Sequence, residues 1–238
     1  MIKKLVKSAL NKLGYDLRKV RRHPLVFEGG LFAADYLSRL LQPRTLIDVG
    51  VGYGTRPLYE AIPSADLILI EPLIDYEDAI AKILKSRNGR VIYKAVGNTK
   101  GVLKINVDTA NLELSSFADR TPMTQSGNIL EQREVEVTTL DLIFEECHPV
   151  KSPIILKIDT EGNELSVLEG AKSAIQSVDC VIAEVSIAKR FENSYECEDL
   201  IRFMSENGFY LYSFLFVAHV IGEDRPRFSD VVFMRKEN

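Results

Sequence analysis

The sequence contains few cysteines and histidines, with three of each in 238 residues. Cys147, Cys180 and Cys197 are odd in number and form no Cys-x-x-Cys pair, so neither a disulfide framework nor a zinc site is indicated. The sequence also lacks any apolar run approaching the roughly 20 residues that a membrane-spanning helix needs. The N-terminus alternates lysine with leucine where a signal peptide would carry an unbroken apolar segment. These features together predict a cytoplasmic protein.

The whole chain lacks a large excess of either positive or negative charge, since its formal net charge is -4. A general nucleic-acid binder needs a basic surface that neutralises phosphates, so this class is not favoured. The charge is nevertheless uneven, because residues 1–22 carry eight cations and one anion, a net +7, which leaves -11 for the remainder. We therefore expect the two parts to face different partners.

The basic N-terminal segment has apolar residues at every third or fourth position, which predicts an amphipathic helix. These residues are Ile2, Leu5, Val6, Ala9, Leu10, Leu13 and Leu17. Two placements are open: the helix lies on an anionic membrane surface, which would make the protein peripheral at the inner face of the membrane, or it packs on its own domain. We assign residues 1–30 to this helix and a linker, and residues 31–238 to one folded domain.

Within that domain, short apolar strands alternate with amphipathic helices, as in a parallel, doubly wound α/β sheet. Two extended segments at the C-terminus have no room for a helix between them, so we expect them to pair antiparallel. The prediction is a Rossmann-like fold of the class I methyltransferase type, with a seven-stranded, mainly parallel sheet and a C-terminal antiparallel hairpin. The predicted strands are 45–49, 67–70, 91–96, 101–107, 134–138, 154–158, 180–185, 209–217 and 230–234, and the helices 31–41, 55–62, 75–86, 164–175 and 196–207. The polar stretch 108–133 is expected to be a lid and to form much of an acceptor pocket.

A glycine-rich turn follows the first of the βα strands, at Gly50, Gly52 and Gly54. Only glycine readily adopts a positive φ and leaves no Cβ against a ligand. The spacing differs from the GxGxxG of dinucleotide binders, and a pyrophosphate would be repelled by Asp48, which suits the ammonium of a methionine moiety instead. Glu71, at the tip of the next strand, can accept two hydrogen bonds from ribose hydroxyls.

These residues predict an S-adenosylmethionine site at the carboxyl ends of the first strands, where the sheet order reverses. Val96 is expected to form part of an adenine shelf, although an ordinary turn explains it equally well. The predicted cofactor-binding residues are Asp48, Gly50, Gly52, Tyr53, Gly54, Glu71, Pro72, Val96 and Asp159.

A second motif, Lys157-Ile158-Asp159-Thr160-Glu161-Gly162-Asn163-Glu164, follows a later strand. Repulsion among its carboxylates raises at least one pKa, which suits a general base for a hydroxyl nucleophile, and hard oxygen ligands also suit a divalent cation. We predict Asp159, Glu161 and Glu164 as catalytic residues, with Asp159 or Glu161 as the base, and assign no metal. Glu164 has a second interpretation, in which it only charges the N-terminus of the following helix.

Two further residues have open interpretations. Glu184 ends the fifth βα strand and is either an acid of the site or a satisfied polar strand end. His219 is expected in the last hairpin loop, as a base on the substrate side or as a solvated side chain.

With these motifs the chain resembles the FkbM family of S-adenosylmethionine-dependent methyltransferases over residues 46–236. The segment from Lys157 to Glu164 is the specific part of the resemblance and the glycine turn is generic. Smaller matches are Glu71-Pro72, Ala95-Val96-Gly97, Ser115-Ser116, Thr139-Leu140-Asp141, Glu184 and Asp230-Val231-Val232-Phe233. One departure is Val51-Gly52-Tyr53, where the family more often has Ala-Asn, so the contact at position 52 is open.

The resemblance implies methylation of a hydroxyl on a glycan, polyketide or other secondary metabolite, with S-adenosylmethionine as the donor. It places Asp48, Gly50, Glu71 and Asp159 at the cofactor, and Glu161 and Glu164 near the acceptor. The alternative is a non-catalytic scaffold docked to a membrane or a glycan-assembly partner, although a scaffold has no use for the cofactor carboxylates. A nucleic-acid methyltransferase is disfavoured, because no Asn/Asp-Pro-Pro-aromatic tetrad follows the fourth βα strand and the body is acidic.

Overall fold

The computed structural model describes residues 25–29, 34–122, 124, 130–220 and 224–236. The predicted basic helix over residues 1–22 lies outside these ranges. Among the described residues, no helix has both the length and the apolar character needed to cross a bilayer.

The strands and helices follow the alternation that the sequence predicts. The strands are β1 (Leu25–Gly29), β2 (Thr45–Val49), β3 (Asp66–Ile70), β4 (Gly89–Ile92), β5 (Ala95–Val96), β6 (Gly101–Asp108), β7 (Leu130–Thr138), β8 (Ile154–Ile158), β9 (Cys180–Ser186), β10 (Phe209–Val220) and β11 (Phe228–Arg235). The α-helices are α1 (Asp35–Leu41), α2 (Arg56–Ala61), α3 (Glu77–Leu84), α4 (Leu140–Glu146), α5 (Glu164–Glu169) and α6 (Cys197–Glu206). Short 3-10 turns lie at Ile74–Tyr76, Leu112–Leu114 and Ala174–Ser177.

Eight of the described strands form the main sheet, in the order β1-β10-β11-β9-β8-β2-β3-β4. The five strands from β9 to β4 run parallel, while β11 is antiparallel to both β9 and β10. This arrangement confirms the predicted class I methyltransferase type of sheet and its C-terminal hairpin. The additional strand is β1, which pairs antiparallel with β10, so residues 25–29 belong to the sheet although the sequence placed them in a linker.

A smaller sheet departs from the prediction. The expected third strand, residues 91–96, divides into β4 in the main sheet and β5, which pairs parallel with β7. β7 in turn pairs antiparallel with β6 along the whole length of β6. Because β7 begins at Leu130 rather than Glu134, the polar stretch that we expected from 108 to 133 is shorter than predicted.

The helices differ from the prediction at two places. The helix expected over 164–175 stops at Glu169, because Gly170 packs directly on the backbone of Gly97, where a Cβ would lie 2.1 Å from the Gly97 carbonyl oxygen. Helix α4 was not predicted. It begins at a Thr139 cap whose hydroxyl accepts a hydrogen bond from the Leu142 N–H.

Apolar clusters pack on both faces of the main sheet. On β2, Ile47 and Val49 contact one cluster and Leu46 contacts the other. Burying each such side chain stabilises the fold by about 1.5–3 kcal/mol. Successive residues of a strand point to opposite faces, so Asp48 lies on the same face as Leu46. Its carboxylate is therefore buried in the protein interior.

Candidate active site

A cavity of about 450 Å³ opens at the carboxyl ends of β2, β3 and β8. This is the point at which the chain order of the sheet reverses, because β2 lies between β3 and β8. Most of the predicted site residues line it, namely Gly50, Gly52, Tyr53, Gly54, Glu71, Pro72, Val96, Asp159 and Glu161, together with Glu184. Asp48 and Glu164 are not among the lining residues.

The glycine turn is set by backbone geometry. Gly50, Gly52 and Gly54 all have positive φ values, of 80°, 52° and 94°. A Cβ at Gly50 would lie only 1.8 Å from the carbonyl oxygen of Asp159, so a side chain at this position would collide with the loop that follows β8. The turn therefore needs glycine at position 50 both for its φ and for its contact with the second motif.

Glu71 is held at the rim of the cavity by backbone donors. Its two oxygens accept hydrogen bonds from the N–H groups of Gly52, at 2.9 Å, and Leu73, at 3.0 Å. Burial raises the pKa of this carboxyl to about 7, although both backbone donors act to lower it. Each carboxylate oxygen has a second lone pair, so Glu71 retains the capacity to accept two ribose hydroxyls. The N–H of Gly52 thereby orients Glu71, whichever residue type the family prefers at position 52.

Asp48, which we expect to hold the methionine ammonium directly or through water, does not itself line the cavity. Its side chain is 0% exposed, accepts a 2.5 Å hydrogen bond from the Tyr59 hydroxyl, and lies 3.3 Å from the ammonium of Lys157. The same ammonium lies 3.3 Å from Asp159. Burial alone would lower the pKa of Lys157, but Asp48 and Asp159 outweigh burial and raise it. Asp48 therefore acts on the cavity through Lys157, which does line it.

Three carboxylates meet at the other end of the cavity. Asp159, Glu161 and Glu184 have oxygens within 4.8 Å of one another. Glu161 also has a φ of 52°, a left-handed conformation that costs a non-glycine residue on the order of 1–3 kcal/mol. Arg190 donates to both Glu161, at 2.6 Å, and Glu184, while Arg120 donates to Glu161 at 3.0 Å. The arginines thus join two of the three carboxylates into a network of side chains.

Burial has the largest effect on the pKa values of the carboxyl groups in this network. It raises the pKa of both Glu161 and Glu184, and Arg190 opposes the change in each case. Asp230, opposite Glu184 in the β9–β11 register, has its pKa raised to about 7 by burial and by Asp159.

Glu164 has a structural environment rather than a catalytic one. One of its oxygens accepts hydrogen bonds from the N–H groups of Thr160, at 2.8 Å, and Gly162, at 3.1 Å. The other accepts from the Tyr195 hydroxyl at 2.7 Å. The side chain is buried at the start of α5, which favours the second interpretation, in which Glu164 only charges the N-terminus of this helix. Its hydrogen bonds to Thr160 and Gly162 also fix the loop before the helix.

The part of the predicted lid that the structure describes forms one wall of the cavity. Residues 111–115 and Phe117 line it, and the Ser116 hydroxyl donates to the carbonyl oxygen of Glu161 at 2.6 Å. Residues 123 and 125–129 of the same stretch lie outside the described ranges.

The sequence did not identify the two arginines, Asp230 or the role of Lys157. Arg120 and Arg190 are separated from their shared partner Glu161 by 41 and 29 residues, and no local motif marks them. The position of Lys157 in β8, two residues before Asp159, was the available signal. The expectation for His219 was wrong in its placement, since this residue lies in β10 opposite Val26 and not in a hairpin loop.

Comparisons with known proteins give one family and one curated relative. A family model described as the methyltransferase FkbM domain matches residues 48–211. The hexuronic acid methyltransferase AglP of Haloferax volcanii is 27% identical over 143 residues, which are 59% of this chain and 55% of that protein. The chain thus aligns with about half the length of this curated relative.

Solved structures with similar architecture are distant in sequence. Magnesium protoporphyrin IX methyltransferase from Synechocystis PCC 6803 is 11% identical, with a TM-score of 0.47 over 98% of this chain and 97% of that one. A TehB-like methyltransferase from Corynebacterium glutamicum is 10% identical, with a TM-score of 0.41 over 98% and 96%. Nothing about the chemistry of this chain follows from similarity at this level.

Proposed function

Because this chain belongs to the FkbM family of S-adenosylmethionine-dependent methyltransferases, we propose that it methylates a hydroxyl group of a glycan or of another small metabolite. The observation that supports this most is the position of Asp159. Its carboxylate faces the same cavity as the Gly50–Gly54 turn and Glu71, so a methyl donor held by the turn lies beside a candidate base.

In this proposal the cofactor-binding residues lie on the β2 and β3 side of the cavity. Glu71 accepts the ribose hydroxyls, Gly50 lets the backbone approach the ligand, and Pro72, Val96 and Tyr53 flank the nucleoside. When bound, S-adenosylmethionine supplies a methyl group on a positively charged sulfur. Lys157, fixed by the buried Asp48, orients Asp159 towards that methyl group.

Asp159 is the preferred general base of the three predicted carboxylates. Its side chain is 35% exposed and contacts one cation, Lys157, whereas one Glu161 oxygen is shared by two arginines and Glu164 does not line the cavity. With the cofactor bound, Asp159 would accept the proton of the acceptor hydroxyl as that oxygen takes the methyl group, and the sulfur would leave with the electron pair of its bond to the methyl carbon. Alignment of the reacting atoms supplies much of the rate in such an in-line displacement.

We also propose that this activity resides in one domain that includes β1, since β1 completes the edge of the sheet. A peripheral membrane contact through residues 1–22 stays a separate proposal.

Isothermal titration with S-adenosylhomocysteine tests the function. We expect micromolar binding to the full chain and a loss of about tenfold or more in Glu71→Gln, because the variant replaces an oxygen acceptor with an amide donor. The matched control is Glu145→Gln, which changes an exposed carboxylate on α4 and should bind like the wild type. A folded protein that does not bind the ligand would favour the scaffold alternative instead.

A further inference from the structure

The acceptor end of the cavity, defined by Asp159, Glu161 and Glu184, presents oxygen atoms that accept hydrogen bonds. All three side chains line the cavity, and their oxygens lie within 4.8 Å of one another. Glu113, on the wall formed by residues 111–115, adds a further carboxylate to the lining of the cavity. A molecule entering this end therefore meets a surface that is rich in hydrogen-bond acceptors.

The cations that line the cavity are already paired. Among the described lining residues these cations are Lys94 and Lys157. Lys157 contacts Asp48 and Asp159 at 3.3 Å each, and Lys94 lies 3.3 Å from Glu136. Lys157 cannot turn to a new anion without leaving the buried Asp48 carboxylate behind, whereas the Lys94–Glu136 pair is exposed and costs little to break.

The two arginines nearby are also committed to protein groups. Arg190 is 4% exposed, bonds both Glu161 and Glu184, and stacks 4.2 Å above the Phe228 ring. Arg120 bonds Glu161 and donates twice to the carbonyl oxygen of Leu114. Withdrawing Arg190 would leave the buried Glu184 carboxylate without its cation, which is strongly unfavourable, and withdrawing Arg120 would break its bonds to both Glu161 and Leu114.

Recognition at this end therefore favours a ligand that donates hydrogen bonds and carries no negative charge. A sugar ring offers several hydroxyl donors, and hydrogen bonds from hydroxyls to carboxylates are short and strong. A carboxylate on the sugar would instead lie beside protein carboxylates whose cations, Lys157, Arg120 and Arg190, are already paired. We infer that this site takes a neutral polyhydroxylated acceptor of the sugar class and rejects the corresponding uronic acid, an inference that rests on the proposed methyl transfer.

The test compares matched pairs of glycosides. The full chain is incubated with S-adenosylmethionine and with the methyl glycosides of glucose, galactose and mannose, or with those of their uronic acids, and S-adenosylhomocysteine formation is measured by mass spectrometry. We expect kcat/KM for at least one neutral glycoside to exceed that for its uronic acid by about tenfold or more. Equal or faster turnover of the uronic acids overturns the inference.

Turnover of no glycoside, by a preparation that binds S-adenosylhomocysteine, also overturns the sugar assignment while leaving the proposed methyltransferase function intact. A preparation that fails to bind S-adenosylhomocysteine contradicts the proposed function itself. The two failures are therefore distinguishable by the binding titration.

A charge-removing variant sharpens the test. Glu184→Gln removes one negative charge and releases one guanidinium nitrogen of Arg190, so the uronic-to-neutral ratio of kcat/KM should rise about tenfold. Glu113→Gln, in the exposed wall, should raise the same ratio by a smaller factor. It replaces Glu184→Gln as the test variant if Glu184→Gln does not fold. Glu145→Gln should leave the ratio unchanged. A ratio that stays constant in both test variants contradicts an electrostatic origin of the selectivity.

Discussion

The two halves of the cavity are built by different means. On the cofactor side, Glu71 is held by backbone N–H groups, and the turn at Gly50 is fixed by glycine geometry. On the acceptor side, Glu161 is held by the side chains of Arg120 and Arg190, which are distant in sequence. The cofactor side therefore tolerates few residue types, but short sequence motifs predict it. The acceptor side depends on charged residues that are distant in sequence and meet only in the folded protein.

Loss of Arg190 should have the largest effect, because it leaves Glu161 and Glu184 buried without their shared cation. We expect Arg190→Met to lower the free energy of unfolding by about 3–5 kcal/mol in urea denaturation. Arg202→Met, which removes an exposed cation paired with Asp199, is the matched control and should cost less than about 1 kcal/mol. If the halves are independent, the Kd for S-adenosylhomocysteine should stay within about threefold in folded Arg190→Met. A loss of less than 1 kcal/mol would show that the network does not hold the acceptor side together.

A Cβ at position 50 should disrupt the cofactor side. Gly50→Ala places a methyl group 1.8 Å from the Asp159 carbonyl oxygen at a positive φ, so we expect a loss of about 2–4 kcal/mol in unfolding free energy and at least tenfold weaker S-adenosylhomocysteine binding. Gly101→Ala is the control, because a Cβ there has no atom within 4 Å. Equal stability of the two variants would contradict the close contact between the turn and the second motif.

The carboxyl group of Asp230 should make the free energy of unfolding depend on pH. Its pKa is about 7 in the folded protein, above its ordinary value of 3.8, so the folded state holds an extra proton between these values and stability falls as pH rises through that window. Asp230→Asn should therefore be stabilising by at most about 4 kcal/mol at pH 8, and by clearly less at pH 5. Urea denaturation at both pH values measures the difference. A gain of the same size at both would show that the Asp230 carboxyl is not perturbed.

The smallest expected effect is the pH dependence of cofactor binding. Glu71 accepts ribose hydroxyls as a carboxylate, and its pKa is about 7, so affinity for S-adenosylhomocysteine should rise by up to about tenfold between pH 6 and pH 8. Glu71→Gln cannot ionise and should show weak affinity with a flat profile. A wild-type profile that is equally flat would exclude Glu71 as the group that titrates on binding.

The sequence predicted the cofactor side more completely than the acceptor side. The bounds of β2 and β8 were correct, because each is a short, mainly apolar segment that follows a proline, Pro43 or Pro153. Glu71 and the glycine turn could be placed because they follow such strands directly. The burial of Asp48 could not be inferred, since the strand pattern does not show which carboxylate finds a cation inside the protein.

Contacts between distant segments account for the remaining differences. The early end of α5 depends on the approach of Gly170 to Gly97, more than seventy residues away in sequence. The pairing of Arg190 with Glu161 and Glu184 depends on the loop after β9 folding back over the loop after β8. The apolar periodicity within either segment does not predict such a contact.

A crystal structure of the full chain with S-adenosylhomocysteine tests the central claim most directly. We expect both ribose hydroxyls to lie within hydrogen-bond distance of the Glu71 oxygens and the sulfur to face Asp159. The claim would be contradicted if the nucleoside lay away from Glu71, or if the sulfur pointed away from the carboxylates at the end of β8.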